Sequence, residues 1–389
     1  MSATTLAMRH AARGRLHLDL TVVGLVAALL LLGLVMVTSA SVTLAARDGN
    51  AFYFAERQLL FALVGVGFGA VALRIPTELW ERLSNVLLVV AMVMLVLVLL
   101  PGLGHSVNGS RRWLRLAGLN FQASEAARVL LLIYLCSYLV RREEELRTSV
   151  IGFLKPLAVL GVAALLLLVE PDFGSGVVLL ATSIGLLFLA GIRLRYFLAL
   201  CAAAPALFGV IAIASPYRLR RLIIFLDPWA DAQNGGYQLT QSLIAIGRGE
   251  WFGVGLGASI QKLFYLPEAH TDFVFAVLAE ELGFVGIALV VALVCGLVYR
   301  SLLIARNAAE AGLKFQSYLA AAFGIWFGLQ AFINMGVNMG LLPTKGLTLP
   351  LLSYGRSSLV VTLGWIGILL RVHHETQSTR SVALRGGAR

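Results

Sequence analysis

The chain has 389 residues, of which 59% are hydrophobic and 13% charged, with a formal net charge of +11. Soluble domains carry about 45–50% apolar and about 25% charged residues, so this balance excludes an ordinary soluble protein and points to the membrane. The basic residues form short clusters between apolar stretches rather than a stripe on one domain, which argues against a nucleic-acid partner and fits loops flanking membrane helices.

Arg9, Arg13 and Arg15 precede a run from Leu20 to Ala46 that holds no charged residue. The run exceeds the ~20 residues a spanning helix needs and the ~7–15-residue apolar core of a signal peptide, so it predicts a retained first span. Apolar segments then predict spans over 52–76, 84–101, 120–140, 152–169, 173–192, 196–215, 272–299, 315–341 and 349–372. The fold class expected is an all-α polytopic membrane protein of about ten transmembrane helices, with a large outer-face loop between helices 7 and 8. Its parts are a cytoplasmic tail over 1–18, a membrane domain over 19–373 and a disordered cytoplasmic tail over 374–389.

An even number of spans puts both termini on one side. Both tails are basic, so that side is cytoplasmic, and the clusters Arg141–Arg147, Arg193/Arg195 and Arg300–Lys314 fall there too. Arg111, Arg112 and Arg115 land on the outer side, as do Arg218, Arg220 and Arg221. Basic residues on that side call for another reason, and an anionic ligand supplies one. The long connection from Pro216 to His270 is rich in aromatic residues and glycine, which predicts a folded outer cap. Cys136, Cys201 and Cys295 lie in apolar segments without nearby His or Cys and predict neither a disulfide nor a metal framework.

Ionisable residues in or beside spans are functional candidates because burying them in lipid is costly. They are Glu125, Arg128, Asp272, Glu280, Glu281 and Arg356. Asp272 stands where a helix begins, so it reads either as a reactive carboxylate at the outer face or as a helix cap. Glu125 and Arg128 share a helix face and read as an intramembrane ion pair or as substrate contacts. Arg111, Arg112 and Trp113 read as phosphate forks with a sugar-facing ring, or as interfacial anchors. The turn Glu170-Pro-Asp-Phe-Gly174 reads as a plain turn or as carboxylates placed at the outer face.

Together these segments resemble the SEDS family (shape, elongation, division and sporulation) over about residues 20 to 372. The likeness rests on Asn108-Gly-Ser-Arg-Arg-Trp113, Glu170-Pro-Asp-Phe-Gly174, Tyr237-Gln-Leu-Thr-Gln-Ser242, Gly247–Gly257, Gln261–Phe273, Ala279-Glu-Glu-Leu-Gly283 and Leu342–Gly355. Asp227-Pro-Trp-Ala-Asp231, Phe264–Ala269 and Pro343–Thr348 are closer to the family's division branch than to its elongation branch. Three places depart from the pattern: Arg356 where the family has glycine, Gln122-Ala-Ser-Glu125-Ala-Ala-Arg128 for a Pro- and Lys-containing run, and Asp231–Gly236. If that glycine serves a positive φ, Arg356 impairs this chain and Arg356→Gly restores it.

The resemblance implies an inverting peptidoglycan glycosyltransferase that polymerises lipid II during division, in the bacterial inner membrane at the septum. It implies Asp272 as general base. It also implies a substrate surface drawn from Arg111, Arg112, Trp113, Glu125, Arg128, Gln238, Lys262, His270, Thr271, Glu281, Lys345, Ser353, Tyr354 and Ser357. The leaving diphosphate needs cations, supplied by Arg111, Arg112 and Lys262 or, as the alternative, by a divalent ion (Mg or Mn) for which no ligand set is legible. Expected partners are lipid II, a lipid-linked glycan strand, a class B penicillin-binding protein (an FtsI-like transpeptidase) and other division membrane proteins. A lipid II flippase, an elongation polymerase and a recruiting scaffold are the alternatives.

Overall fold

The computed structural model describes residues 16–47, 49–107, 110–116, 119–213, 219, 223–343 and 346–386. The helices are α1 (Leu20–Arg47), α2 (Tyr53–Arg74), α3 (Thr77–Arg82), α4 (Ser84–Leu99), α5 (Ala123–Arg141), α6 (Glu143–Thr148), α7 (Val150–Val169), α8 (Phe173–Leu189), α9 (Leu194–Ile213), α10 (Tyr237–Gly249), α11 (Val274–Glu310), α12 (Lys314–Asn338) and α13 (Arg356–Gly386). Among the described residues, seven helices are long and apolar enough to cross a membrane: α1, α2, α5, α7, α11, α12 and α13. α4, α8 and the start of α9 are shorter apolar helices. The chain is a multi-pass membrane protein, and the expected ten spans require those three as well.

The apolar runs set these boundaries. α1 ends at Arg47, α2 at Arg74 and α5 at Arg141, where a cation meets the free carbonyls of the last turn. Exposed Leu and Val side chains line the outward faces of α1, α2, α4 and α7, as a lipid-facing surface requires. The centre is built from α5, α8, α11, α12 and α13, with Trp326, Trp365, Phe323 and Phe327 packed ring against ring. α13 runs along α2, and the two backbones come so close that a Cβ at Gly367 would lie 2.1 Å from the Gly69 carbonyl.

Between α4 and α5 the chain forms a three-stranded antiparallel sheet, β1 (Gly104–Val107), β2 (Ser110–Leu116) and β3 (Leu119–Gln122), a departure from the expected all-α chain. Trp113 of β2 pairs with His105 and with Gln122.

Three expectations are corrected. Residues 349–355 are not helical, so the last helix starts at Arg356 rather than at 349. The tail from 374 is not disordered where it is described: α13 continues to Gly386, and buried Glu375 accepts hydrogen bonds from Thr77 and Arg371. At position 356 the residue begins a helix and is not among the positive-φ residues, so Arg356 is not strained and lies 5.9 Å over the Phe61 ring.

The two ends of the helical bundle differ in chemistry. One end joins Lys314 to Glu143 (2.6 Å), Arg300 to Asp19 (2.7 Å) and Arg380 to Glu310 (2.8 Å). The basic connections assigned to the cytoplasm by charge are therefore gathered at this end. The opposite end carries the sheet, α10, the 250–273 segment and the 346–355 segment.

Candidate functional site at the loop-bearing end

α11 is interrupted one-quarter of the way along. Gly283 adopts φ 63° and ψ −161°, which frees backbone groups inside the helix. The 249–255 segment takes them up: Val254 N–H donates to the Glu280 carbonyl (3.0 Å), and Gly255 N–H to that of Glu281 (3.1 Å). In return Phe284 N–H donates to the Glu250 carbonyl (2.9 Å). A Cβ at Gly253 would lie 2.1 Å from the Glu281 carbonyl, so only glycine allows this approach.

The paired acids of α11 secure the same segment. Glu280 is fully buried and accepts from Ser259 Oγ, Ile260 N–H (3.1 Å) and Gln261 N–H (3.3 Å). Glu281 binds Lys262 Nζ at 2.7 Å, and Ser39 Oγ of α1 donates to both its oxygens. Lys262 Nζ also donates to the Gly257 carbonyl (2.7 Å). Lys262 and Glu281 are thus a buried, satisfied pair that fastens loop to helices, which corrects their expected place on the substrate surface.

The fastened segment leads to Pro267–Phe273. Asp272 is half-buried, and its carboxylate makes no hydrogen bond among the described residues. It is not a cap: the residue flanking α11 is Phe273, with no side-chain cap, and Asn338 Oδ1 accepts from Ala276 N–H instead (3.2 Å). Burial pushes the Asp272 carboxyl up to about 7, Glu268 adds to the push, Arg112 opposes it and Asp172 adds to it. A Cβ on Gly346 would stand 3.0 Å from Asp272 Oδ2, so the backbone at Gly346 lies directly against the carboxylate.

The charges that act on Asp272 are those of Arg112, Glu268 and Asp172, and Arg112 links the site to the Glu170–Asp172 turn. Half-buried Arg112 on β2 donates to the Pro171 carbonyl, which brings its guanidinium to the Glu170–Asp172 turn. Asp172 caps α8 and is committed to Ser175 Oγ (2.8 Å) and Ser124 Oγ (2.7 Å). Glu170 is fully buried with neither oxygen hydrogen-bonded among the described residues. Burial first, then Asp172, raises its carboxyl to about 8 against the pull of Arg112.

The remaining expected residues divide into two groups. His270, Tyr354 and Phe54 form an aromatic wall, with Phe54 4.6 Å from His270 and 5.2 Å from Tyr354. Burial lowers the His270 pKa, partly opposed by Glu268, and Tyr354 N–H donates to the His270 carbonyl (2.9 Å). Thr271 donates to Glu268 Oε2 (2.7 Å), and Trp113 is half-buried on β2 beside Arg112. Gln238 lies half-buried on α10.

Others hold the frame, correcting their expected substrate contacts. Glu125 and Arg128 form a fully buried ion pair, with Arg128 also donating to Gln330 Oε1 (3.1 Å). Ser353 Oγ accepts from Leu349 N–H (2.8 Å), closing a turn, and Ser357 Oγ accepts from Gln122 N–H (3.0 Å). Lys345 and the Arg111 side chain lie outside the described residues.

Reasoning from charge missed Gln330, Asn334 and Asn338 of α12, all buried. The signal was there: three amides spaced by four along one face of an otherwise apolar helix. Among the described residues no three His, Cys, Asp or Glu side chains are grouped to hold a metal ion.

The arrangement presents one accessible carboxylate of near-neutral pKa, a cation beside it and an aromatic wall, suited to removing a proton next to an anionic ligand. The family described as "Cell cycle protein", which groups FtsW, RodA and SpoVE, matches residues 20–378. "Probable peptidoglycan glycosyltransferase FtsW" of Thioalkalivibrio sulfidiphilus is 56% identical over 92% of this chain and 90% of its own length. The protein of that name from Nitrosococcus halophilus is also 56% identical, over 92% of this chain and 93% of its own. A solved chain described under "Structural coordination of polymerization and crosslinking by a peptidoglycan synthase complex" superposes with a TM-score of 0.78. It is 30% identical and covers 93% of this chain and 99% of its own. The rod shape determining protein RodA of Thermus thermophilus gives a TM-score of 0.68 at 29% identity, covering 92% of this chain and 97% of its own. On matching sequence, fold and site-bearing segments, the chain belongs to the FtsW/RodA/SpoVE family, the SEDS proteins, and within it is FtsW-like.

Proposed function

We propose that this protein is a peptidoglycan glycosyltransferase of cell division that polymerises lipid II with Asp272 as general base. The carboxylate takes the proton from the sugar 4-hydroxyl of the acceptor as that oxygen attacks the anomeric carbon of the donor. The undecaprenyl diphosphate leaves from the opposite face, carrying the bonding electrons, and the α-linkage becomes β. The observation that carries this reading is the Asp272 carboxyl: half-buried, raised to about 7, beside Arg112, and not engaged in capping its helix.

Arg112, with Arg111 next to it in β2, faces the leaving diphosphate, where a guanidinium fork suits phosphate oxygens. A Mg or Mn ion would neutralise the same charge. Among the described residues Glu170, whose oxygens make no hydrogen bond and whose carboxyl is drawn down by Arg112, would hold such an ion in its deprotonated form. The bilayer holds both polyprenyl tails in one plane, which favours encounter and orientation.

The polymerase works in the inner membrane at the septum, with the Asp272 end outside and both termini in the cytoplasm. Its partner is a class B penicillin-binding protein, supported by the likeness to a chain from a peptidoglycan synthase complex. Purified protein with that partner should convert fluorescent lipid II into glycan strands that a muramidase digests. Transbilayer movement of lipid II without polymer would favour the flippase instead.

A further inference from the structure

α12 carries Gln330, Asn334 and Asn338 at four-residue intervals, hence on one stripe of the helix, and all three are buried. A primary amide in an apolar helix is costly unless its hydrogen bonds are made, so their targets are informative. Asn334 Nδ2 donates to the Asp272 carbonyl (2.9 Å) and to the Leu347 carbonyl (2.6 Å). Asn338 Nδ2 donates to the same Asp272 carbonyl (3.0 Å), while its Oδ1 accepts from Ala276 N–H in the first turn of α11. Gln330 Nε2 donates to the Thr348 carbonyl (3.1 Å), and its Oε1 is held by Arg128.

Three side chains of one helix thus grip two separate segments. One is the backbone of Asp272 itself, whose carbonyl receives two amide donors. The other is the 347–348 backbone, adjoining the Gly346 that lies against the Asp272 carboxylate. Neither segment can shift along α12 without breaking these bonds.

We infer that Asn334 and Asn338, with Gln330 behind them, are positioning residues that fix the register between the Asp272 backbone and the 346–348 segment. The inference rests on Asp272 being the base. A displacement of about 1 Å of a reacting group is enough to cost ~10²-fold in rate, so loosening the grip acts on turnover rather than on substrate binding.

The test is steady-state polymerisation of labelled lipid II by the full-length protein with its partner transpeptidase. Parent, Asn334→Ala, Asn334→Ser, Gln316→Leu and Asp272→Asn are compared, each with a melting temperature in detergent. Gln316 is a control: a buried amide on the same helix at the far end, bonded to Thr77 (2.9 Å). The expected result is a fall in kcat of about 10-fold to 10²-fold for Asn334→Ala, with KM within threefold. Asn334→Ser, which keeps one donor, recovers part of the rate, and Gln316→Leu loses melting temperature without a matching loss of kcat. Asn334→Ala with kcat within threefold of the parent, or a loss of rate that simply tracks melting temperature across both helix positions, overturns the inference. Should Asn334→Ala not fold, Asn338→Ser decides on the same readouts. An active Asp272→Asn would instead remove the base assignment, a result separable from either outcome at Asn334.

Discussion

At the scale of single residues, the chemistry turns on carboxyl groups pushed away from their ordinary range. A general base must be deprotonated at working pH yet still basic, and a group near 7 satisfies both conditions. Asp272 does so because burial and the negative charges of Glu268 and Asp172 outweigh Arg112. Two consequences follow. Polymerisation should rise with pH along an acid limb centred near 7, measured as kcat/KM between pH 5.5 and 8.5. A limb near the ordinary carboxylate value of about 4 would contradict the assignment. The second concerns stability. Because the folded value is raised, the fold favours the protonated acid; that stability is complete in acid and lost as pH rises toward about 7. Asp272→Asn, neutral throughout, should melt close to the parent near pH 4 and above it beyond pH 7. For Glu170, raised to about 8, the corresponding gain of Glu170→Gln should be complete only at higher pH, beyond about 8.

Which residues the sequence could reveal depended on charge. Asp272 stood out because an acid at the edge of a span is costly, and Glu125 and Arg128 stood out for the same reason. Position along the chain could not tell the free carboxylate from the satisfied pair. That distinction comes from Gln330 meeting Arg128, 202 residues away in sequence, and from Ser39 meeting Glu281 across 242 residues. Lys262 was misassigned because a lysine in a substrate-side loop looks like a phosphate ligand until its ammonium is seen among Glu281, Ser39 and Gly257. The α12 amides carry no charge, so charge does not single them out, although their four-residue spacing is visible in the sequence.

At the scale of elements, apolar runs marked the helices well, since a chain in lipid has few alternatives. The boundaries fall within a few residues for α1, α2, α4, α5, α7, α8 and α9, while the short α3 and α6 are not among the expected segments. The sheet is not legible, because its strands are only four to seven residues long and its basic residues read as phosphate forks or interfacial anchors. The break in α11 was not legible either, since nothing local separates Gly283 from a helix-packing glycine. It depends on Gly249–Gly255, whose backbone replaces the missing helical hydrogen bonds. Gly283→Ala should therefore destabilise the protein by about 1–3 kcal/mol, the cost of forcing a side chain into a left-handed φ. The added Cβ would also meet Gly253 N at 2.4 Å. Unfolding in detergent measures the loss, and limited proteolysis should show earlier cleavage within 249–266. Parent-like stability and cleavage would mean that the segment is held without the break.

At the scale of the whole molecule, α11 and α13 have 37 and 31 residues. At 1.5 Å per residue α13 runs about 46 Å and the 284–310 part of α11, beyond its break at Gly283, about 40 Å, both beyond a hydrocarbon core of ~30 Å. Their excess lies at the basic end, where Arg380 joins Glu310 and where a disordered tail was expected. The long-range partners of Glu375 explain why the tail's order could not be read locally: Thr77 and Gln316 come from distant elements. The proposed orientation, argued from the positive-inside rule, has this end in the cytoplasm and Asp272 outside. In a cysteine-free background, Asn234→Cys should react with an impermeant thiol reagent in intact spheroplasts, and Ser381→Cys, exposed on α13, should not. The opposite pattern would invert the protein and remove Asp272 from the outer face.

The central claim is that Asp272 supplies basicity and not support for a helix, and Asp272→Asn separates the two. The amide keeps the size of the side chain, and α11 takes no cap from it. The measurement is the rate of glycan formation from labelled lipid II by parent and Asp272→Asn proteins, each with its transpeptidase partner, at matched folding. A fall of about 10²-fold or more with a melting temperature equal to or above that of the parent is the expected result. Polymer formed at the parental rate by Asp272→Asn would contradict it.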